Sequence, residues 1–225
     1  MPTQQRPGCL FDLHGVLADS WQYHLRSWQA IATELGIPWT AELAAKLPGM
    51  SREDSLEAIL ASVSRQRDFN VRQRQMITNH EDALYKQYVT VLTPANCLPG
   101  IPDFLQKLTQ AGYPLAVASA STNAASEIDH LGLRGYFPHI VDARQLKASK
   151  PAPDVYLAAA KLIGCDPRAC VAFEDTVTGV QSAVAAGCRV IGINPVPLAG
   201  ATIMVTRTND LSLSVVRQVR DLPDA

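Results

Sequence analysis

Residues 8–17 read Gly8-Cys9-Leu10-Phe11-Asp12-Leu13-His14-Gly15-Val16-Leu17, and this stretch decides the fold. The run from Gly8 to Leu13 is short, mostly apolar, and bounded by Pro7 and Gly15. That is the pattern of a strand buried on both faces. Three further runs have the same character: Pro114-Leu-Ala-Val-Ala-Ser119, Cys170-Val-Ala-Phe-Glu-Asp175 and Arg189-Val-Ile-Gly-Ile-Asn194. Helical patterns separate them. Ile101, Phe104, Leu105 and Leu108 recur at i, i+3, i+4 and i+7, and Gly112 follows as a stop. Residues 155–163 and 177–186 are also helical, the latter ending at Gly187. Such alternation predicts an α/β fold, a doubly wound parallel sheet with helices on both faces.

One stretch breaks the alternation. From about Asp19 to Leu92 only helical patterns occur. Leu25, Trp28, Ala32 and Leu35 make one apolar stripe, closed by Gly36. Leu56, Ile59 and Leu60 lie on a second helix, entered through Ser51 with Asp54 three residues on, a capping-box-like start. A long polar helix follows from about Asn70 to Val91. The expected division is therefore a core of residues 1–18 and 93–225, with residues 19–92 as a helical insert after the first strand.

The composition excludes several classes of function. The chain has 225 residues, 20 Lys+Arg against 21 Asp+Glu, and a formal net charge of −1. Near-neutral charge removes the electrostatic footprint of a nucleic-acid-binding protein. With 47% hydrophobic and 18% charged residues, the chain is of ordinary globular composition. It has no uninterrupted apolar window of membrane-spanning length, and residues 1–8 hold no apolar leader. Cysteines 9, 97, 165, 170 and 188 are odd in number and form no CxxC pair, as expected of thiols in a reducing compartment with neither disulfides nor zinc. These features predict a monomeric cytoplasmic protein with no membrane or nucleic-acid partner.

In a doubly wound sheet, ligands bind beyond the carboxyl ends of the strands. Each strand leads into a polar cluster there: Asp12 to His14, Ser119 to Asn123, and Glu174 to Thr176, with Ser149-Lys150-Pro151 before the helix at 153. The carboxylates of Asp12, Glu174 and Asp175 suit a hard cation such as Mg²⁺. Ser119, the amides after it and Lys150 suit the oxygens of a phosphoryl group. An aspartate beside Mg²⁺ can serve as nucleophile and form an aspartyl phosphate.

In these motifs and their order the chain resembles the haloacid-dehalogenase-like superfamily, and within it the β-phosphoglucomutase-like subfamily. The carrying segments are FDLHGVLADS, LPGMSREDSLEAIL, PLAVASAS, ASKPAPDVYLAAA and VAFEDTVTGV, spread over almost the whole length. The resemblance implies a Rossmann-like core and a small helical cap that closes over substrate. It implies Asp12 as nucleophile and Mg²⁺ at Asp12, Glu174, Asp175 and the backbone carbonyl of His14. It further implies phosphate or substrate contacts from Ser119, Ala120, Asn123 and Lys150. Arg52 matches the cap arginine that holds a distal phosphate, and His24 and Ser55 match other substrate positions of the cap.

The departures bear on activity. The family writes Asp-x-Asp at the first strand, and its second aspartate is the general acid/base; here that residue is His14. A histidine's ordinary pKa near ~6.5 suits proton transfer, so His14 reads as a working proton carrier, a lesion or a retuning of specificity. Pro48 stands where the mutase has a lysine, and a second cap lysine is replaced near Glu81. Glu174 reads either as a metal ligand or as a support for its loop. Together these features predict Mg²⁺-dependent phosphoryl transfer on a small phosphorylated metabolite, such as a sugar phosphate, with hydrolysis favoured. β-Phosphoglucomutase activity and a catalytically weak phosphate-binding sensor are the alternatives.

Overall fold

The computed structural model of the protein describes residues 6–221; residues 1–5, part of the stretch read above for an apolar leader, lie outside them. Strand β1 (Gly8–Phe11) is followed by helices α1 (Trp21–Glu34), α2 (Ala41–Lys46), α3 (Arg52–Ala61) and α4 (Val71–Val89). Strands and helices then alternate through α5 (Ile101–Gln110), β2 (Leu115–Val117), α6 (Ala124–His130), β3 (His139–Ile140), α7 (Asp154–Leu162), β4 (Cys170–Glu174), α8 (Val177–Ala185) and β5 (Arg189–Ile193). The last described elements are β6 (Ile203–Val205) and α9 (Leu213–Asp221). Ser20–Leu92 is one compact unit, and the chain before and after it forms the other. Asp19, read above as the start of the insert, belongs to the sheet-bearing unit. Among the described residues no helix is long and apolar enough to cross a membrane.

All six strands are parallel, in the order β3-β2-β1-β4-β5-β6. This is the doubly wound order, in which successive connections run outward from β1 in both directions and leave a crevice at the carboxyl ends beside it. Register is set by the pleat. Cys9, Phe11, Leu115, Val117, Val171, Phe173 and Ile191 face one side of the sheet, where they pack with Phe104 and Leu108 of α5, Ile128 of α6 and Val216 of α9. Phe11 stacks on Phe173 with ring centroids 4.2 Å apart. The alternate residues Leu10, Ala116, Ala118, Ala172 and Val190 face α7 and α8, where Val155, Ala159, Val180 and Ala183 complete a core of smaller side chains. Each large apolar side chain buried here contributes roughly 1.5–3 kcal/mol.

The four strands expected from sequence are present, and two more lie at the sheet's edges. β3 has two residues, both half-buried, and β6 has three. Both are too short to stand out as a buried run.

The helical unit has its own core of Trp28, Ile31 and Ala32 from α1, Leu43 and Leu47 beside α2, and Leu56, Ile59 and Leu60 from α3. Its helices start where the chain supplies caps. Ser51 Oγ accepts from Asp54 N–H at 3.0 Å. Asn70 and Gln73 form a reciprocal capping box at 3.0 and 2.9 Å. Helix α4 is the exception to apolar patterning, because its buried positions Thr78, Glu81, Tyr85 and Val89 include a carboxylate.

Candidate active site at the carboxyl edge of the sheet

The register that pairs Phe11 with Val117 and with Phe173 aligns the ends of three adjacent strands. Asp12 N–H donates to Phe173 O at 3.1 Å and Ala118 N–H to Phe11 O at 2.7 Å, so the ladder holds up to the residues that follow. Asp12, Ser119 and Glu174 therefore emerge side by side, and all three are buried.

Lys150 closes the cluster from the loop before α7. Its Nζ donates to Asp12 Oδ1 at 2.7 Å and to Glu174 Oε1 at 2.5 Å. Burial works to lower the Lys150 pKa, but the charges of Asp12 and Glu174 outweigh it and keep the ammonium protonated beyond its ordinary range. Glu174 is held from every side. Tyr156 Oη donates to its Oε1 at 2.6 Å, while Asp175 N–H and Thr176 Oγ1 donate to its Oε2, each at 3.2 Å. Asp175 differs: its buried Oδ1 makes no hydrogen bond among the described residues. Burial, and then the charges of Glu174 and Asp12, push the Asp175 carboxyl well above the ordinary range. Carboxylate oxygens of Asp12, Glu174 and Asp175 lie within 4.8 Å of one another. A trio of carboxylates, those of Asp12 and Glu174 buried and that of Asp175 half-buried with one oxygen unserved, is suited to a hard divalent cation.

Two glycines make room for these carboxylates. Gly15 has φ +78°, and a Cβ there would overlap the Asp175 carboxylate. A Cβ at Gly179 would overlap the carboxylate of Glu174.

Beyond β2 the chain turns through hydroxyl-capped amides. Ser119 Oγ accepts from Ser121 N–H at 3.1 Å, and Ser121 Oγ accepts from Asn123 N–H at 3.2 Å. These turns hold Ala120 and Asn123 at the same edge of the sheet. His14 follows β1, with Nδ1 3.6 Å from Oε2 of the fully buried Glu127.

Within the helical unit, Arg52 and His24 gather around Glu81. Arg52 Nε donates to Glu81 Oε2 at 2.5 Å, and an Arg52 terminal nitrogen lies 2.9 Å from Asp82 Oδ1. Ser27 Oγ donates to Glu81 Oε1 at 2.5 Å, and His24 Nδ1 lies 3.7 Å from that oxygen. The His24 ring also stacks on Tyr85 at 3.7 Å. Burial alone would raise the Glu81 pKa; His24, the Arg52 charge and Ser27 reverse this and hold it below the ordinary range. Ser55 is buried on α3, one turn beyond Arg52.

Asp12, Lys150, Glu174 and Asp175 are thus in one cluster, with Ser119, Ala120, Asn123 and His14 on the same edge. Tyr156, Gly179 and Glu127 were not singled out from the sequence. A lone tyrosine or glutamate on a helix carries no chemical signature until its partner is seen. For Tyr156 the only cue was its place six residues after Lys150 in KPAPDVY.

Residues 9–193 match the haloacid dehalogenase-like hydrolase family. The β-phosphoglucomutase of Bacillus subtilis is 33% identical over 210 residues, covering 93% of this chain and 93% of the relative. Hexitol phosphatase A of Escherichia coli is 32% identical over 188 residues, covering 83% and 82%. The crystal structure of a β-phosphoglucomutase from Clostridium difficile superposes with a TM-score of 0.92 at 28% identity, covering 96% of this chain and 98% of that one. A parallel sheet in this order, with a match running from β1 through β5, leaves one assignment: the chain belongs to the haloacid dehalogenase-like hydrolases, as a phosphatase or phosphotransferase of their β-phosphoglucomutase-like subfamily.

Proposed function

We propose that the protein hydrolyses a small sugar phosphate or related phosphomonoester through an aspartyl phosphate on Asp12. The observation that carries this reading is the Lys150 ammonium set between Asp12 and Glu174, beside the unserved oxygen of Asp175. Such a site presents a nucleophilic carboxylate and a fixed positive charge where three strands end. Mg²⁺ fits the carboxylates of Asp12, Asp175 and Glu174 together with the His14 carbonyl, and when bound it supplies positive charge against the phosphoryl oxygens.

In the first step an Asp12 oxygen bonds to phosphorus as the ester P–O bond breaks. The departing alkoxide takes a proton from the His14 imidazolium. In the second step water bonds to phosphorus, its proton passes to the neutral His14 ring, and the P–O bond to Asp12 breaks, releasing phosphate and restoring both residues. Lys150 and the amides after Ser119 stabilise the equatorial oxygens throughout, with Ala120 and Asn123 completing the loop. Ser20–Leu92 is assigned the role of the cap, with Ser55 and His24 on the substrate side.

Hydrolysis is favoured over isomerisation by the state of Arg52. A mutase must hold a second phosphate at the cap, and Arg52 is already neutralised by Glu81 and Asp82. The likeness to the Bacillus subtilis β-phosphoglucomutase supports the second reading, conversion of β-glucose 1-phosphate to glucose 6-phosphate. Incubation with sugar monophosphates, with and without Mg²⁺, decides between them. Release of inorganic phosphate with little glucose 6-phosphate is expected. Efficient isomerisation of β-glucose 1-phosphate would sink the hydrolase reading, and no turnover of any phosphomonoester would leave a binding protein.

A further inference from the structure

We infer that Glu127 is the positioning residue for His14, holding its ring by Nδ1–H and leaving Nε2 as the nitrogen that exchanges protons with substrate and water. The inference rests on the hydrolase reading above, and it adds a residue that neither the sequence motifs nor that reading supplies. Glu127 lies on α6, directly beyond the carboxyl end of β2, and is 0% exposed. A buried carboxylate is costly unless both oxygens are served. Ser121 Oγ serves Oε1 at 3.2 Å. Among the described residues Oε2 makes no hydrogen bond, and His14 Nδ1 stands 3.6 Å from it. At that separation the two groups are within ion-pair distance, with the ring nitrogen facing the carboxylate oxygen.

The chemistry explains why the two belong together. An aspartate at position 14 needs no orienter, because its oxygens are equivalent. An imidazole has two unlike nitrogens, and it is useful as a proton carrier only if one tautomer and one ring orientation are selected. A carboxylate on Nδ1–H makes that selection, the logic by which an acidic partner orients a catalytic histidine. Glu127 therefore accounts for a histidine at this edge of the sheet.

The test uses the full-length enzyme with p-nitrophenyl phosphate and Mg²⁺, together with ring-¹⁵N histidine spectra recorded where the imidazole is neutral. The His14 signals are assigned by their loss in His14→Asn. Wild type is expected to show the Nδ1–H tautomer. Glu127→Gln keeps an accepting oxygen and should retain that tautomer, with kcat within about fivefold of wild type. Glu127→Leu should lose the tautomer and lower kcat about 10–100-fold at nearly unchanged KM, the scale seen when an orienting partner is removed. A wild-type His14 protonated at Nε2 overturns the inference without any variant. So does a folded Glu127→Leu whose tautomer and kcat match wild type, or whose kcat and KM change with the tautomer intact. A wild type inactive on every phosphomonoester defeats the hydrolase reading, and the tautomer still decides whether Glu127 sets the His14 ring.

Discussion

The ammonium of Lys150 sits 2.7 Å from Oδ1 of Asp12, with Glu174 on its other side at 2.5 Å. One buried cation thus balances two buried carboxylates, and the same atoms serve stability and chemistry. Breaking such an arrangement on one side is worse than never building it, since the remaining charges stay buried.

Lys150→Met should therefore lose about 3–5 kcal/mol of stability in the metal-free protein, because Asp12 and Glu174 are left facing each other unpaired. Mg²⁺ should restore more of that loss in the variant than it adds to wild type, since it replaces the missing positive charge. Thermal denaturation with and without Mg²⁺ reads both effects. An unchanged melting temperature in the absence of metal would show that the pairing does not matter.

Asp12→Asn keeps the shape of the side chain and removes the carboxylate proposed as nucleophile. Turnover should be abolished while the melting temperature stays near wild type, because Lys150 retains Glu174. Residual activity within about tenfold of wild type would remove Asp12 from the mechanism.

Asp175→Asn should have opposite effects on stability and on metal binding. Its buried Oδ1 has no partner, and Asp12 and Glu174 repel its charge. Neutralising it should raise the melting temperature of the metal-free protein near pH 7 and weaken Mg²⁺ binding by at least tenfold in calorimetry. Destabilisation together with unchanged Mg²⁺ affinity would place the cation elsewhere.

How much of this was legible from the residues follows from where each signal lives. The buried strands declared themselves because both faces of Gly8–Phe11 and Cys170–Glu174 are covered, which forces continuous apolar runs. The edge strand His139–Ile140 did not, because two half-buried residues leave no such run. Helix α2 has only six residues, too few to show a period. At the site, Asp12, Glu174 and Asp175 were readable because the carboxyl ends of strands carry chemistry by position, and Lys150 because Ser149-Lys150-Pro151 stands before a helix in the same motif order. Glu127 and Tyr156 were not, since each acquires meaning only through a partner distant in sequence: Glu127 through His14, Tyr156 through Glu174. The pinning of Arg52 by Glu81 was likewise invisible, although the unexpected acid at position 81 pointed toward it.

Glu81→Gln tests that pinning by its pH dependence. His24, Arg52 and Ser27 face Glu81 and hold its carboxyl below the ordinary range, while the adjacent Asp82 pairs with Arg52 and Lys86. A lowered pKa means that the folded state binds fewer protons than the unfolded one. Its stabilisation is thus complete above the unfolded value near ~4.3 and is lost as pH falls through the folded value. The variant should be less stable near pH 7 by about 1–3 kcal/mol, with a flatter acid limb in melting temperature against pH. Freed of one counter-charge, Arg52 should also bind a sugar bisphosphate more tightly, as read by calorimetry. Parallel acid limbs in the two proteins would deny Glu81 its place in the network.

His14→Asp is the sharpest test of the edge as a whole, because it restores the family's usual residue while leaving Glu127 in place. The new carboxylate would face a fully buried carboxylate to which Ser121 donates a hydrogen bond. Two like charges in that setting repel. The single change should therefore lower both stability and turnover, although it supplies a good general acid/base. His14→Asp combined with Glu127→Leu removes the conflict and should recover much of the lost rate, part of the ~10²–10⁴-fold that a positioned acid/base contributes. A double-mutant cycle in kcat and melting temperature measures this as a coupling well away from zero. If His14→Asp alone proves faster and more stable than wild type, Glu127 does not face position 14 in the working enzyme. Additive effects of the two changes would likewise make His14 and Glu127 neighbours by accident.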